Sequence, residues 1–302
     1  MLETIYKTLT GWLTDLLGSL VSLLKVVVQS RFGAALPAPQ RPTCSVLGNG
    51  PSLNDSLQHH LAFIRETELV VVNSFALTDI FLDLMPQNYA LHDPGYFFRT
   101  STSVRPDIQQ TIDVLIQTVT WPMNLYVPRR AKHSYLTRQI EAGNPGIQVI
   151  YYNYTVVTGF QWLRHGLYRR NLGMVQSQTV LMAALFLMVN RRFREVYIFG
   201  ADQSWHEQIR VTDTNEFQMQ NLHFYDKGKT VSFAPTYNAG QGRGFAMASQ
   251  FLSLYKVFRG YEVLRDYANE LDVNVLNASS KSYIDAFDRV RLPSEMTTPS
   301  TG

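Results

Sequence analysis

The stretch Ser45-Val46-Leu47-Gly48-Asn49-Gly50-Pro51-Ser52-Leu53 decides how the chain is read. An apolar run ends in Gly-Asn-Gly-Pro-Ser and a helical pattern follows, the layout of a strand, a tight turn and a helix N-terminus. Glycines in such a turn let the backbone approach a ligand closely. Ser52 or Asn54 suits the N-cap, and the first N–H groups of the helix can face an anion. The turn lacks the third glycine of the dinucleotide fingerprint and the Gly-Lys-Ser/Thr of a P-loop. Taken alone it fits a phosphate- or nucleotide-binding turn and a purely geometric strand-to-helix turn.

Outward from this turn, apolar strands alternate with helical patterns. Strands are expected at 43–47, 69–73, 89–92, 125–127, 147–151, 194–200 and 273–276. Helices are expected at 53–66, 76–84, 106–119, 129–142, 175–190, 245–269 and 280–290. Residues 152–174 read as irregular, and 201–244 as a long loop of the kind that is functional or disordered. Alternation of this sort predicts an α/β, Rossmann-like, mostly parallel sheet with helices on both faces, here a single domain over 43–292 followed by a flexible tail, 293–302. Ligands of such sheets bind beyond the carboxyl ends of the strands, at a switch point. Those ends carry Gly48-Asn49-Gly50, Asn73-Ser74, His92-Asp93, Gly200-Ala201-Asp202 and Asn277-Ala278-Ser279. Five polar or glycine-bearing ends point together to a nucleotide-type ligand in the crevice.

Residues 1–35 differ from the rest. Leu2, Ile5, Leu9, Trp12, Leu16, Leu20, Leu23 and Val27 recur at helical spacing, with few charges between them. The longest uncharged stretch, Leu16 to Leu24, is about half of the ~20 residues a membrane span needs, so no span is expected. Glu3 stands where a signal peptide would carry basic residues. The segment therefore reads as an amphipathic helix that lies in a membrane interface, pairs with copies of itself to form a homo-oligomer, or docks on its own domain. Residues 36–42, Pro-rich, read as an extended linker.

Composition bounds the function. The 302 residues are 45% hydrophobic, enough for a sizeable core, and the net charge of +3 with no basic run gives no footprint for nucleic acid. Cys44 is the only cysteine, which excludes an internal disulfide and fits a cytoplasmic setting. No Asp-x-Asp motif closes a strand, and neither a metal nor a cofactor is expected.

The order of motifs resembles a known family. Gly48-Asn49-Gly50-Pro51-Ser52-Leu53, Asn73-Ser74-Phe75 and Asp93-Pro94 resemble the first half of metal-independent bacterial sialyltransferases of glycosyltransferase family 42, and of the related motility accessory factor and pterin pyrophosphokinase-like proteins. Val175-Gln176-Ser177, then Gly200-Ala201-Asp202-Gln203-Ser204-Trp205, Leu222-His223-Phe224-Tyr225-Asp226 and Asn277-Ala278-Ser279-Ser280 continue the order over about residues 43–290. The resemblance implies an inverting glycosyltransferase with a nucleotide-sugar donor, most readily a CMP-linked sialic acid or related nonulosonate, and a glycan or lipid-linked acceptor. It implies that Asn49 and Asn73 contact nucleotide and phosphate, and that Gly50, Pro51 and Ser52 shape the turn. Asp93 would lie near the nucleoside, Ser177 would touch the donor at a helix start, and Asn277 and Ser279 would form the turn near the cytosine. His223 stands in the place of the catalytic histidine. Trp205 stands where the sialyltransferases carry a tyrosine on the leaving phosphate; Tyr225, Lys227 or Arg243 are available for that task.

The chemistry is consistent with these assignments. Histidine titrates near neutrality and suits removal of a proton from an acceptor hydroxyl. His223 and His206 both fall in the long loop. Asp202, ending a buried strand, binds the nucleotide or acceptor, orients a catalytic group, or caps the following turn. Two other classes stay open: a pterin-type pyrophosphokinase using ATP and Mg²⁺, and a non-catalytic nucleotide-binding protein that assembles through residues 1–35. The amphipathic N-terminus places a transferase peripherally at the inner face of the cytoplasmic membrane.

Overall fold

The computed structural model describes residues 2–97, 104–226, 228, 230–236 and 244–293. Eight parallel strands form one twisted sheet: β1 (Thr43–Leu47), β2 (Glu68–Val72), β3 (Asn88–Ala90), β4 (Met123–Pro128), β5 (Ile147–Tyr152), β6 (Glu195–Phe199), β10 (Asn274–Asn277) and β11 (Asp288–Arg289). Their order is β11-β10-β6-β1-β2-β3-β4-β5. The chain runs outward from β1 to β5, then crosses to β6 on the other side of β1. The switch point thus lies between β1 and β6, paired in register from Thr43↔Glu195 to Leu47↔Phe199.

The central strands read as uninterrupted apolar runs because both faces are covered. Val46, Val70 and Ile198 point to one face, toward α7 (Gln161–Arg169), α8 (Val180–Asn190) and α9 (Met247–Glu270). Leu47, Val71 and Phe199 point to the other, toward α2 (Leu53–His59), α3 (Leu61–Glu66), α5 (Pro106–Thr118) and α6 (Tyr135–Gly143). Helix α8 is buried from Leu181 to Val189, which is why it is apolar all round. The α/β architecture with helices on both faces is therefore as expected.

Several element boundaries differ from the sequence reading. The helix expected over 53–66 breaks at His60, whose φ of −136° is not helical. The segment 76–84 holds the end of a 3-10 turn, Asn73–Leu77, and the short α4 (Ile80–Leu84). The basic helix expected from 129 begins at Tyr135, where the Ser134 hydroxyl accepts from Thr137 N–H. The apolar helix begins at Val180 rather than 175, capped by the Thr179 hydroxyl accepting from Met182 N–H. Residues 152–174, read as irregular, contain α7. The long loop 201–244 contains a small antiparallel sheet of β7 (Ile209–Val211), β8 (Phe217–Met219) and β9 (Ala234–Pro235). No helix forms over 280–290: Ile284, Ala286 and Phe287 reach into the core from irregular chain, and Asp288–Arg289 pairs with β10 instead.

The N-terminal helix α1 (Leu2–Gln29) corrects the span argument made above. As one helix, Tyr6–Gln29 is long and apolar enough to cross a membrane. Its orientation is inverted relative to an ordinary surface helix. Ser19, Ser22, Val26 and the following Ser30 are buried against the domain, while Leu9, Leu13, Leu17, Leu20, Leu24 and Val28 are exposed. Ser22 donates to the Thr158 carbonyl (3.0 Å), Ser30 to the Leu172 carbonyl (2.6 Å), and the Ser19 hydroxyl accepts from Phe160 N–H (3.0 Å).

Beyond α1, the Pro-rich segment is held by Arg191, whose guanidinium donates to the carbonyls of Pro37 (2.8 Å) and Ala38 (3.0 Å). The same guanidinium pairs with Glu68 at 2.6 Å, both side chains fully buried, and donates to Asn88 (2.9 Å). Glu68 also accepts from Asn88 (2.9 Å) and from Gln40 N–H (2.7 Å), so every charge in the network has hydrogen-bond partners.

Candidate functional site

Two strand ends build the floor of the site. After β1 the chain turns through Gly48-Asn49-Gly50, and after β6 through Gly200-Ala201-Asp202. Gly48 N–H donates to the Phe199 carbonyl (2.8 Å) and Gly50 N–H to the Gly200 carbonyl (2.9 Å), pressing the turns together. A Cβ on Gly50 would meet Asp202 Oδ2 at 2.1 Å, and Gly200 has a φ of +63°, so glycine is required at both positions.

Asp202 decides what the first turn does. Its carboxylate accepts from the Ser52 hydroxyl (2.6 Å) and from Ser52 N–H (3.2 Å). The N-terminus of α2, read from the sequence as open to an anion, is therefore occupied by an internal carboxylate. Burial raises the Asp202 carboxyl above the ordinary range, and the Ser52 hydrogen bonds oppose that shift. Asp202 thus caps the start of α2 rather than the turn that follows it in the chain.

A cavity of about 610 Å³ opens above this floor, at the switch point where such sheets bind ligands. Of the residues singled out above, Asn49, Gly50, Pro51, Asn73, Asp93, Ser177, Asp202, Trp205 and His223 line it. Ser52 lies just behind the wall. Tyr225 faces a separate cavity with Asn54 and Asp107, stacked behind His223 at 4.9 Å between ring centres. Asn277 and Ser279 are not at the cavity. Asn277 is consumed by Ser282 (2.9 Å) and by Ser279 N–H (3.2 Å), and the Ser279 hydroxyl accepts from Ala201 N–H (3.0 Å), which braces the β6 turn from beneath. Lys227 and Arg243 lie outside the described residues.

Three side-chain oxygens give the cavity its polarity. Asn49 Oδ1, Asn73 Oδ1 and Gln203 Oε1 are buried and have no hydrogen-bond partner among the described residues. The Asn49 amide is oriented by its Nδ2, which donates to the Val72 carbonyl (3.3 Å). Asn73 and Gln203 both sit at positive φ, 50° and 51°, in turns that aim them inward. Buried acceptors left unpaired cost about 1–3 kcal/mol each, so three on one cavity favour a ligand rich in hydroxyl or amino donors. Gln203 was not picked out in the sequence; its place beside Asp202 at a strand end was the available signal.

The opposite wall is positive. Gln178, Thr179, Val180 and Leu181 bring the N-terminus of α8 to the cavity, with its leading N–H groups and the positive end of its dipole. The sequence reading attached the anion-binding helix start to α2; a Ser-Gln-Thr run before an apolar helix was the cap signal for α8. Ser177 precedes this helix by three residues. Its hydroxyl donates to the Thr179 carbonyl (2.8 Å), and its own carbonyl accepts from Tyr154 (2.7 Å). Arg130, also missed, lines the same wall, with its guanidinium 5.3 Å from the Tyr154 ring centre and no ion pair among the described residues.

His92 and His223 have different surroundings. His92 is buried, with Nδ1 2.8 Å from the Tyr152 hydroxyl and Nε2 3.3 Å from the Ser177 carbonyl. Burial, helped by Arg130, pushes its pKa down to about 4. His223 is more exposed, at the cavity rim, with Nδ1 3.3 Å from Asp226 Oδ2. The loop bearing it is docked on the first turn: Phe224 N–H donates to the Asn49 carbonyl (3.0 Å) and Asn54 to the Phe224 carbonyl (2.8 Å). Asp93 accepts from Gly95 N–H (2.7 Å) and shapes the turn beside His92.

The depressed His92 pKa has a pH consequence. The unfolded chain binds this proton below about 6.5 and the folded chain only below about 4. Stability from His92 is therefore complete above pH 6.5 and is lost as pH falls through that window. The loss is on the order of 3 kcal/mol. Urea midpoints from pH 7 to 4 are expected to fall less steeply for His92→Gln than for the native chain; equal slopes would count against this assignment.

Among the described residues, no group of three or more His, Cys, Asp or Glu side chains converges to hold a metal ion. No protein-family model and no curated protein matches the sequence. Among solved structures, the MAf glycosyltransferase from Magnetospirillum magneticum AMB-1 aligns with 89% of this chain at 13% identity and a TM-score of 0.49. The alignment covers 38% of that protein, so the chain spans well under half its length.

Proposed function

We propose that the chain is an inverting, metal-independent glycosyltransferase that takes a CMP-activated sugar, a sialic acid or related nonulosonate, and adds it to a glycan or lipid-linked acceptor at the inner face of the cytoplasmic membrane. One observation carries the reading: three unpaired buried acceptors at Asn49, Asn73 and Gln203 face the N-terminus of α8 and Arg130 across one switch-point cavity. The acceptors suit the hydroxyl and amino groups of a nucleoside and sugar. The helix end and guanidinium suit the phosphate between them.

In this reading His223 takes the proton of the acceptor hydroxyl on Nε2, while Asp226 holds the proton on Nδ1. The acceptor oxygen bonds to the anomeric carbon as the bond from that carbon to the phosphate oxygen breaks, and the electron pair leaves with the phosphate. Arg130 and the α8 N–H groups then stabilise the departing charge, the task for which the sequence offers Tyr225, Lys227 or Arg243 in place of the family's tyrosine. Trp205 stays at the cavity wall.

A thermal-shift screen of nucleotides tests the reading. CMP in EDTA at about 100 times its dissociation constant is expected to add about 2.7 kcal/mol, or roughly 2–4 °C. Stabilisation only by ATP with Mg²⁺ would overturn the CMP-sugar assignment and favour pyrophosphoryl transfer.

A further inference from the structure

A second, smaller cavity lies on the α7–α9 side of the molecule, away from the switch point. It measures about 200 Å³ and is lined by Thr158, Arg164, Tyr255, Lys256 and Arg259, among others. Three cations on one small cavity are unbalanced. Arg259 pairs with Glu262 (2.5 Å), but Arg164 and Lys256 have no carboxylate partner among the described residues. Arg164 Nε is buried and makes no hydrogen bond among the described residues. A buried, unpaired guanidinium N–H on a residue that shares a cavity with a lysine calls for an anion with several acceptor oxygens.

The surroundings identify where that anion comes from. Thr158 is shared with the N-terminal helix: its N–H donates to the Ser22 hydroxyl at 2.8 Å. Beside it, Phe160 links Trp12 of α1 (6.1 Å) to Trp162 of α7 (6.4 Å). Both tryptophans are exposed, as are Tyr255, Phe251 and Leu252 on α9. The basic cavity therefore carries an exposed aromatic ring, Tyr255, and its Thr158 is tied to α1, whose outer face is apolar. Aromatic rings and cations at the edge of an apolar surface are the composition of a membrane–water interface.

The packing of α1 also fixes its attitude. Its contacts with the domain run from Trp12, which meets Phe160, through Gly18, against which Gly159 packs, and Ser19 and Ser22 to Val26 and Ser30. That is one stripe along the helix. Crossing a bilayer would strip these buried hydroxyls of their partners. Lying in the plane of one leaflet keeps them and buries only the leucine-rich face.

We propose that the cavity between α7 and α9 binds the phosphate of an anionic lipid headgroup, with α1 seated in the plane of the same leaflet. The inference deepens the membrane placement in the proposed function and rests on it. It commits the exposed face of α1 to lipid rather than to a second copy of the chain, because Thr158 of the cavity wall is hydrogen-bonded to α1 and exposed aromatic rings stand on both, Tyr255 at the cavity and Trp12 on the helix.

The test is flotation of the full chain with phosphatidylcholine vesicles, with and without phosphatidylglycerol. The native chain is expected to partition more strongly onto the anionic vesicles. Each cation near such a surface is worth roughly five-fold, so Arg164→Gln with Lys256→Gln should weaken that partition about 30-fold and leave the neutral vesicles unchanged. Leu17→Asp with Leu24→Asp should abolish both. If the double cation variant does not fold, Lys256→Gln alone should give the five-fold loss. Equal binding of native and cation variants to anionic vesicles would overturn the proposal. So would stabilisation by inorganic phosphate without vesicle binding, which marks a free-phosphate site. A dimer that is lost in the leucine variant, with no vesicle binding, would assign the face to a second copy. CMP stabilisation is read separately: its loss with lipid binding intact would sink the nucleotide reading alone.

Discussion

Replacing His223 by alanine is expected to lower sugar transfer by about 10²–10⁴-fold, the range typical of a lost general base. The imidazole is the one at the cavity rim, with Nδ1 turned to Asp226 and the loop pinned to the Asn49 carbonyl and Asn54. Those backbone contacts do not use the ring, so the variant should fold and keep its stabilisation by CMP. Loss of rate with CMP binding retained separates a proton-transfer role from a binding role. Turnover at the native rate would remove His223 as the base and move attention to His206, whose ring packs edge-on against Tyr283 at 4.2 Å. Asp226→Asn is the subtler companion. It preserves the shape, weakens the hold on Nδ1–H, and should lower the rate without changing CMP affinity.

The largest effect on stability is expected from Arg191→Met, about 3–5 kcal/mol, measured by urea unfolding. The Arg191–Glu68 pair is fully buried, and removing one partner strands the other charge away from water. Arg191 also ties the carbonyls of Pro37 and Ala38 to the end of α8, so the segment joining α1 to β1 should loosen as well. Pairing Arg191→Met with Glu68→Gln should recover much of the loss, because no isolated charge remains. A double variant as unstable as the single one would show that the carbonyl contacts, not the stranded carboxylate, carry the cost.

Much of the architecture was legible in the amino-acid pattern. Uniform burial of β1, β2 and β6 leaves runs such as Leu69-Val70-Val71-Val72, which fit a central parallel strand and little else. Boundaries were less legible where a cap rather than periodicity sets the start, as at Thr179 before α8 and Ser134 before α6. The C-terminal segment misled for a different reason. Ile284, Ala286 and Phe287 are apolar at a spacing a helix could use, but they fill the core from irregular chain because β10 offers an open edge to Asp288–Arg289.

The candidate site divides in the same way. Strand ends rich in glycine, asparagine and aspartate marked the edge at which the cavity opens, since tight turns between a strand and a helix need those residue types. Asn49, Asn73, Asp93, Asp202, Trp205 and His223 do share one cavity. Asn277 and Ser279 carry the same turn-forming signature and spend it on bracing β6, a distinction local sequence does not contain.

What the sequence determined by itself is the alternation of strand and helix, the carboxyl edge that carries the site, and the unusual apolar N-terminus, because each is written in the spacing of neighbouring residues. The tertiary structure alone decided which helix end is open. Asp202 closes the N-terminus of α2 from 150 residues away, because β6 lies beside β1. The same crossover brings α8 across the sheet with its own N-terminus toward the cavity, opposite Arg130. Hydrogen bonds between distant segments depend on strand order, and strand order is fixed by which faces can be buried together rather than by any short stretch of chain.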